Sequence, residues 1–149
     1  MLPICEEIGN SPAGAKGAIA DALAFQDAIG LERKAARMRH ITMRWATRVA
    51  RHPRIKLHSS LEPGQTWGLA CVSIDGIDAS ALAAHLWNKH RIIVTVVGRD
   101  DPTDKAFSYR GLRVTPNLYT TMREVDIFAE ALEQVADRGL PAGTSAAGA

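Results

Sequence analysis

Between Leu31 and Arg51 the apolar residues Leu31, Met38, Trp45 and Val49, joined by Ala35 and Thr42, recur on one side of a helix at 3.6 residues per turn. Arg33, Arg37, Arg44, Arg48 and Arg51 fall on the opposite side. No other feature constrains the chain so strongly. A helix with one apolar stripe has to lay that stripe on another element, and the residue before Pro53 disfavours helical backbone, so the helix is expected to end near His52.

Beyond Pro53 the period changes from helix to strand. Ile55 and Leu57 alternate with Lys56 and His58, and Glu62-Pro63-Gly64 marks a turn. Trp67 to Ile74 reads as a second strand, followed by Asp78 as the cap of a helix from Ala79 to about Lys89 with Leu82 and Leu86 inside. The run Ile92 to Val97, bounded by Gly98, is β-branched throughout and is expected to be a strand covered on both sides. Arg99 to Tyr109 is expected to be a loop, and Gly111 to Thr115 a short strand stopped by Pro116. Thr121 and Glu124 have capping-box spacing ahead of a helix with Val125, Phe128, Leu132 and Val135 on its stripe, ended by Gly139 and Pro141.

Upstream of all this, Ala13 to Ile29 is Ala-rich and expected to be helical, with Gly30 as its stop. Residues 1–12, punctuated by Pro3, Gly9 and Pro12, read as a lead-in segment, and residues 139–149 as a disordered tail too poor in apolar groups to offset ordering entropy. The order of elements implies an α+β fold, a small, largely antiparallel sheet covered by helices, with residues 13–138 as one domain.

At 149 residues the chain is long enough for one packed core, and its 18 Lys and Arg against 16 Asp and Glu leave too little net charge to draw the whole molecule to nucleic acid or membrane. No apolar run approaches the roughly 18–20 residues a bilayer span needs, and no signal-peptide pattern opens the chain, so a cytoplasmic protein is expected. Cys5 and Cys71 are in no metal or redox spacing and read as reduced structural thiols. His40, His52, His58, His85 and His90 lack Cys, Asp or Glu at ligand spacing, so no metal site is expected, and His85 and His90, five apart, make a poor helical pair. The arginine face of the 31–51 helix reads as solvated, or as an interface with a further domain, since no aromatic residues interleave with it as nucleic-acid recognition would favour.

Three stretches carry a resemblance to a known family: Ala24-FQDAIGLERKAAR-Met38, Thr66-WGLACVSIDGIDASALAAHLWNKHRIIVT-Val96 and Gly111-LRVTPNLYTTMREVDIFAEAL-Glu133. Together they resemble the C-terminal small domain of class V aminotransferases, fold-type I enzymes dependent on pyridoxal 5'-phosphate that include cysteine desulfurases and isopenicillin N epimerase-like proteins. The third is the most specific, joining an arginine-bearing strand to an Asn-x-Tyr-Thr-Thr turn and a Glu-Val-Asp helix start.

The resemblance implies that the Schiff-base lysine, the aspartate facing the pyridine nitrogen and the ring-stacking aromatic belong to a large domain whose sequence is missing here. None of Lys16, Lys34, Lys56, Lys89 and Lys105 has the family's lysine setting, so no catalytic or cofactor-binding residue is carried over, and no cofactor is expected on this chain alone. One residue is: Arg113 resembles the strand arginine that binds the carboxylate of an amino-acid substrate, a task its planar donor fork suits. Gly111, Pro116, Asn117 and Tyr119 are expected to shape the strand and turn around it, with a ligand contact from Asn117 as the other reading. The implied partners are the large domain or a second copy, and an amino-acid-type small molecule. Three functions stay open: part of a transaminase, desulfurase, lyase or epimerase; a non-catalytic binding or oligomerisation domain derived from one; and, weakest, a nucleic-acid binder.

Overall fold

In a computed structural model, which describes residues 13–104 and 108–141, the chain divides into two units, residues 1–34 and 35–149. The lead-in segment 1–12, the tail from residue 142 onward, Cys5 and Lys105 lie outside the described residues. The first unit carries helix α1 (Ala13–Ile29) and the opening of α2 (Leu31–Val49), separated by Gly30 at φ +86°. That left-handed backbone, which a glycine adopts without steric cost, ends α1 where the sequence places its stop. Within this unit Lys34 donates to Gln26 at 2.6 Å, and Ile19, Leu23 and Phe25 of α1 are exposed.

The second unit holds the rest of α2, strands β1 (Ile55–Leu57) and β2 (Ala70–Ile74), helix α3 (Ala79–His90), strands β3 (Thr95–Arg99) and β4 (Tyr109–Val114), and helix α4 (Met122–Arg138). The four strands form one antiparallel sheet in the order β1-β2-β4-β3. It is the α+β fold expected, a small antiparallel sheet with helices against it.

Alternation sorts the sheet into two faces. Ile55, Ala70, Val72, Ile74, Leu112 and Val114 point into the core, where they meet Ile41, Trp45 and Val49 of α2, Leu82 and Leu86 of α3, and Val125, Phe128, Leu132 and Val135 of α4. Trp45 and Phe128 pack edge-on at 5.2 Å between centroids. The stripe of α2 differs in part from the expected one: Trp45, Val49 and Thr42 are buried, but Leu31 is exposed and Ile41 is fully buried. Helix termini follow the sequence. Asp78 accepts from the Ala81 N–H at 2.9 Å, and Thr121 and Glu124 close a complete capping box.

Several expectations fail. The strand after α3 begins at Thr95, three residues later than the β-branched run suggests, because Arg91 at φ 58° ends α3 in left-handed backbone and Ile92 N–H still bonds to Leu86. Nor is this strand covered on both sides: it is the sheet edge, paired with β4 alone, and Ile93 just before it is 80% exposed. The expected loop 99–109 is correspondingly shorter, since Arg99 and Tyr109 pair across the two strands. The arginine face of α2 is only in part left to solvent: Arg44 makes a bidentate pair with Asp126 and Arg48 with Glu133 of α4, and Arg37 donates to the Thr120 carbonyl just before it, while Arg51 stays exposed.

Candidate functional site

The face of the sheet turned away from the helices carries the polar groups. Register places His58, Cys71, Arg113 and Thr95 in one row across it, and Lys56, Ser73, Gly111 and Val97 in the next. Arg113 is exposed, and among the described residues its guanidinium has no hydrogen-bond or ion-pair partner. The other arginines of the second unit that stand near acceptors are engaged: Arg54 on the Ala136 and Asp75 carbonyls, Arg99 on Asp101, Arg110 on Ser80. Arg113 is therefore a free fork of donors on an open strand, the chemistry that receives a carboxylate.

Its surroundings are set by Gly111. A Cβ there would stand 2.7 Å from the Val72 carbonyl oxygen and 3.1 Å from Cys71 Sγ, so only glycine lets the neighbouring strand and the thiol approach this closely. Cys71 is 5% exposed, and burial pushes its thiol pKa up, against the opposing pull of the Val72 backbone, which makes it an inert thiol. Along the same face His58 stacks on Tyr109 at 4.8 Å and its Nε2 lies 2.7 Å from Ser73 Oγ. Burial, and then the Lys56 charge, hold the His58 pKa below its ordinary value, with Asp75 acting weakly in the other direction. A serine against a neutral imidazole is half of a nucleophile arrangement, but among the described residues no carboxylate bonds to His58 to orient it.

After Arg113 the chain leaves the sheet at Thr115 and Pro116. Asn117 Oδ1 accepts from the Leu118 N–H at 2.6 Å and the Asn117 backbone N–H donates to Thr120 Oγ1, so its side-chain oxygen shapes the turn, and Tyr119 is 72% exposed. The histidines do not gather round Arg113 beyond His58. His85 and His90 approach closer than their spacing suggests, 6.0 Å between rings, because α3 ends at His90; burial first, then Lys89, lowers both pKa values. No group of three or more His, Cys, Asp or Glu side chains among the described residues is arranged to hold a metal ion.

The described lysines do not fit pyridoxal phosphate. Lys56 is paired with Asp75 at 2.9 Å, Lys34 with Gln26, and Lys89 is exposed in the last turn of α3, while Lys105 and the side chain of Lys16 lie outside the described residues. None of these three stands in a desolvated pocket that would free its amine for covalent capture.

The core itself holds four buried polar side-chain atoms without partners among the described residues: Arg39 Nη1, Thr42 Oγ1, Trp45 Nε1 and His90 Nε2. Each costs on the order of 1–3 kcal/mol relative to a satisfied group. Neither the unpartnered atoms nor the His58–Ser73–Tyr109 group was legible in the sequence, since both depend on cross-strand register and helix packing. The chain matches no protein-family model, and the search of curated proteins finds no match.

Proposed function

We propose that the chain is the carboxylate-recognising small domain of a class V aminotransferase-like, pyridoxal-phosphate-dependent enzyme, acting on an amino-acid-type substrate together with a cofactor-holding large domain that lies outside these residues. The observation that carries the reading is Arg113: an unpaired guanidinium on the open face of an antiparallel sheet, at the position where the resemblance puts a substrate carboxylate. A planar fork of donors engages both carboxylate oxygens, and the rigid strand fixes its direction. Gly111 supports it by allowing β2 and β4 to close beneath the site.

In this reading the chain supplies orientation and not covalent chemistry. The cofactor, bound by the large domain, supplies the electron sink for reactions at the substrate amine. The protein is cytoplasmic in this account, and among the described residues no helix is long and apolar enough to cross a membrane. A non-catalytic binding or oligomerisation domain of the same descent is the second reading, favoured by the exposed Trp87 of α3 and Ile93 just before the edge strand.

The test is to titrate pyridoxal phosphate into the purified chain, reduce with borohydride and map the modified lysines by mass spectrometry. Scattered, substoichiometric labelling of exposed lysines is expected, because none of Lys34, Lys56 and Lys89 stands in a pocket that would position its amine for covalent capture. Stoichiometric labelling of one lysine, with a spectrum that responds to added amino acid, would make the chain a minimal enzyme and overturn the proposal.

A further inference from the structure

The β-branched run Ile92 to Val97 is the strongest strand signal in the chain, and the fold uses only its second half. Ile92 is held at the end of α3, where its N–H bonds to the Leu86 carbonyl. The ladder with β4 begins at Thr95, so Ile93 and Val94 stand outside it. On its other side β3 has no strand partner among the described residues. A row of unpaired backbone donors and acceptors of this kind is a template for another extended segment.

Proteins blunt such an edge with a lysine, a proline, a bulge or a very short strand. The opposite edge of this sheet is blunted: β1 is three residues long with Lys56 at its centre. β3 carries none of these devices. Its register with β4 runs from Thr95 to Arg99 without a bulge, and no residue from Ile93 to Val97 is charged or a proline. Arg99, beyond that stretch, is paired with Asp101 at 2.8 Å. Ile93 is 80% exposed, and beside it lies a groove of about 250 Å³ lined by Ala83, Trp87, Ile92, Ile93 and Val94.

The stretch 93–97 is complementary to itself when run antiparallel. A two-fold axis normal to the sheet through Thr95 sets Ile93 opposite Val97 of the second copy, Val94 opposite Val96 of the second copy, and the two Thr95 residues opposite each other. Pairs of β-branched residues and Thr–Thr pairs are among the favourable cross-strand combinations. Opposed residues share a face, so Ile93 and Val97 cover each other on the open face, and Val96 of the second copy lies beside the apolar groove. Arg91 and Arg99 both fall outside the paired stretch. An axis through Val97 would instead set Ile93 opposite Asp101, an apolar side chain against a charged one.

We propose that two copies of this chain pair antiparallel through residues 93–97, with Thr95 on the two-fold axis, joining two four-stranded sheets into one of eight strands. The pairing draws Ile93 and Val94 into the strand that their side chains favour. It depends neither on Arg113 nor on a large domain.

The test is disulfide trapping in the full chain carrying Cys5→Ser, with the buried Cys71 left in place. Thr95→Cys puts two thiols across the axis on residues about 4.5–5.5 Å apart between Cα atoms, within disulfide reach. Val97→Cys, two residues along, puts them about 14 Å apart, out of reach. Mild oxidation with copper phenanthroline is expected to convert most of the Thr95→Cys chain into a covalent dimer and to leave Val97→Cys monomeric. Sedimentation of the unmodified chain is expected to level off at the dimer, since pairing uses up the edge. Equal trapping of the two variants, or no trapping of Thr95→Cys, would overturn the proposal. So would a monomer at every concentration, whether the edge stays open or residues 1–12 or 142–149 of the same chain occupy it.

Discussion

Gly111 concentrates the argument at the scale of single residues. Its missing side chain is what allows the Val72 carbonyl and the Cys71 thiol to lie where a Cβ would be, and a backbone carbonyl cannot swing aside. Gly111→Ala is expected to destabilise the chain by about 1–3 kcal/mol, the usual cost of overpacking, and urea denaturation measures it; a change within about 0.5 kcal/mol would contradict the close approach. The three histidines His58, His85 and His90 make a second prediction. All have pKa values held down in the folded chain, mainly by burial, so the unfolded chain binds protons at higher pH. Stability is then full above about pH 6.5 and falls as the pH drops through the folded values. Glu124, through the Thr121 backbone N–H and hydroxyl, and Asp126, through the Arg44 hydrogen bond, are likewise held low and add a further loss in the acid range. A urea midpoint that is flat between pH 7 and pH 5 would contradict the histidine part. Little of this was visible in the sequence. Arg113 stood out only through a family resemblance, and His58, Ser73 and Tyr109, separated by 15 and more residues along the chain, meet through strand register.

Elements that signal themselves locally were legible; those whose position depends on neighbours were not. The span of α1, the cap of α3 and the capping box of α4 follow from residues within one turn of each boundary. Thr121→Ala is expected to cost about 1 kcal/mol, read from thermal or urea unfolding, because it removes one side of that box. The run Ile92–Val97 misled because β-branching favours extended backbone without specifying which residues pair or how many faces are covered. The docking of α2 on α4 was missed for a related reason: five arginines on one helix face give no hint that Asp126 and Glu133, more than 80 residues on, will meet them. These pairs are part-exposed, and a double-mutant cycle on Arg48 and Glu133 is expected to give a coupling of about 1 kcal/mol or less. Leu132→Ala, at a fully buried position between the same helices and the sheet, is expected to cost about 2–5 kcal/mol. A coupling larger than the Leu132 loss would reverse the claim that apolar burial holds α4 in place.

For the molecule as a whole, the change of hydrophobic period at Pro53 was enough to specify helices against a small antiparallel sheet, and that is the fold. It could not specify what lies on the sheet's open face or edge, where nothing in the local pattern distinguishes solvent from a partner. Trp67, Leu69, Trp87 and Ile93 are exposed in the second unit, large apolar side chains that a partner could cover. Self-association that grows with concentration is expected in sedimentation, and weakened by Ile93→Lys; a monomer at every concentration would count against a covering partner. The central claim, that the open face exists to hold a carboxylate, is tested most directly by following arginine Nε resonances while L-glutamate is titrated into the chain, with sodium chloride as the ionic control. The account predicts a saturable shift at Arg113 that exceeds those of the exposed Arg51 and Arg123. Equal, non-saturating shifts at all three would contradict it.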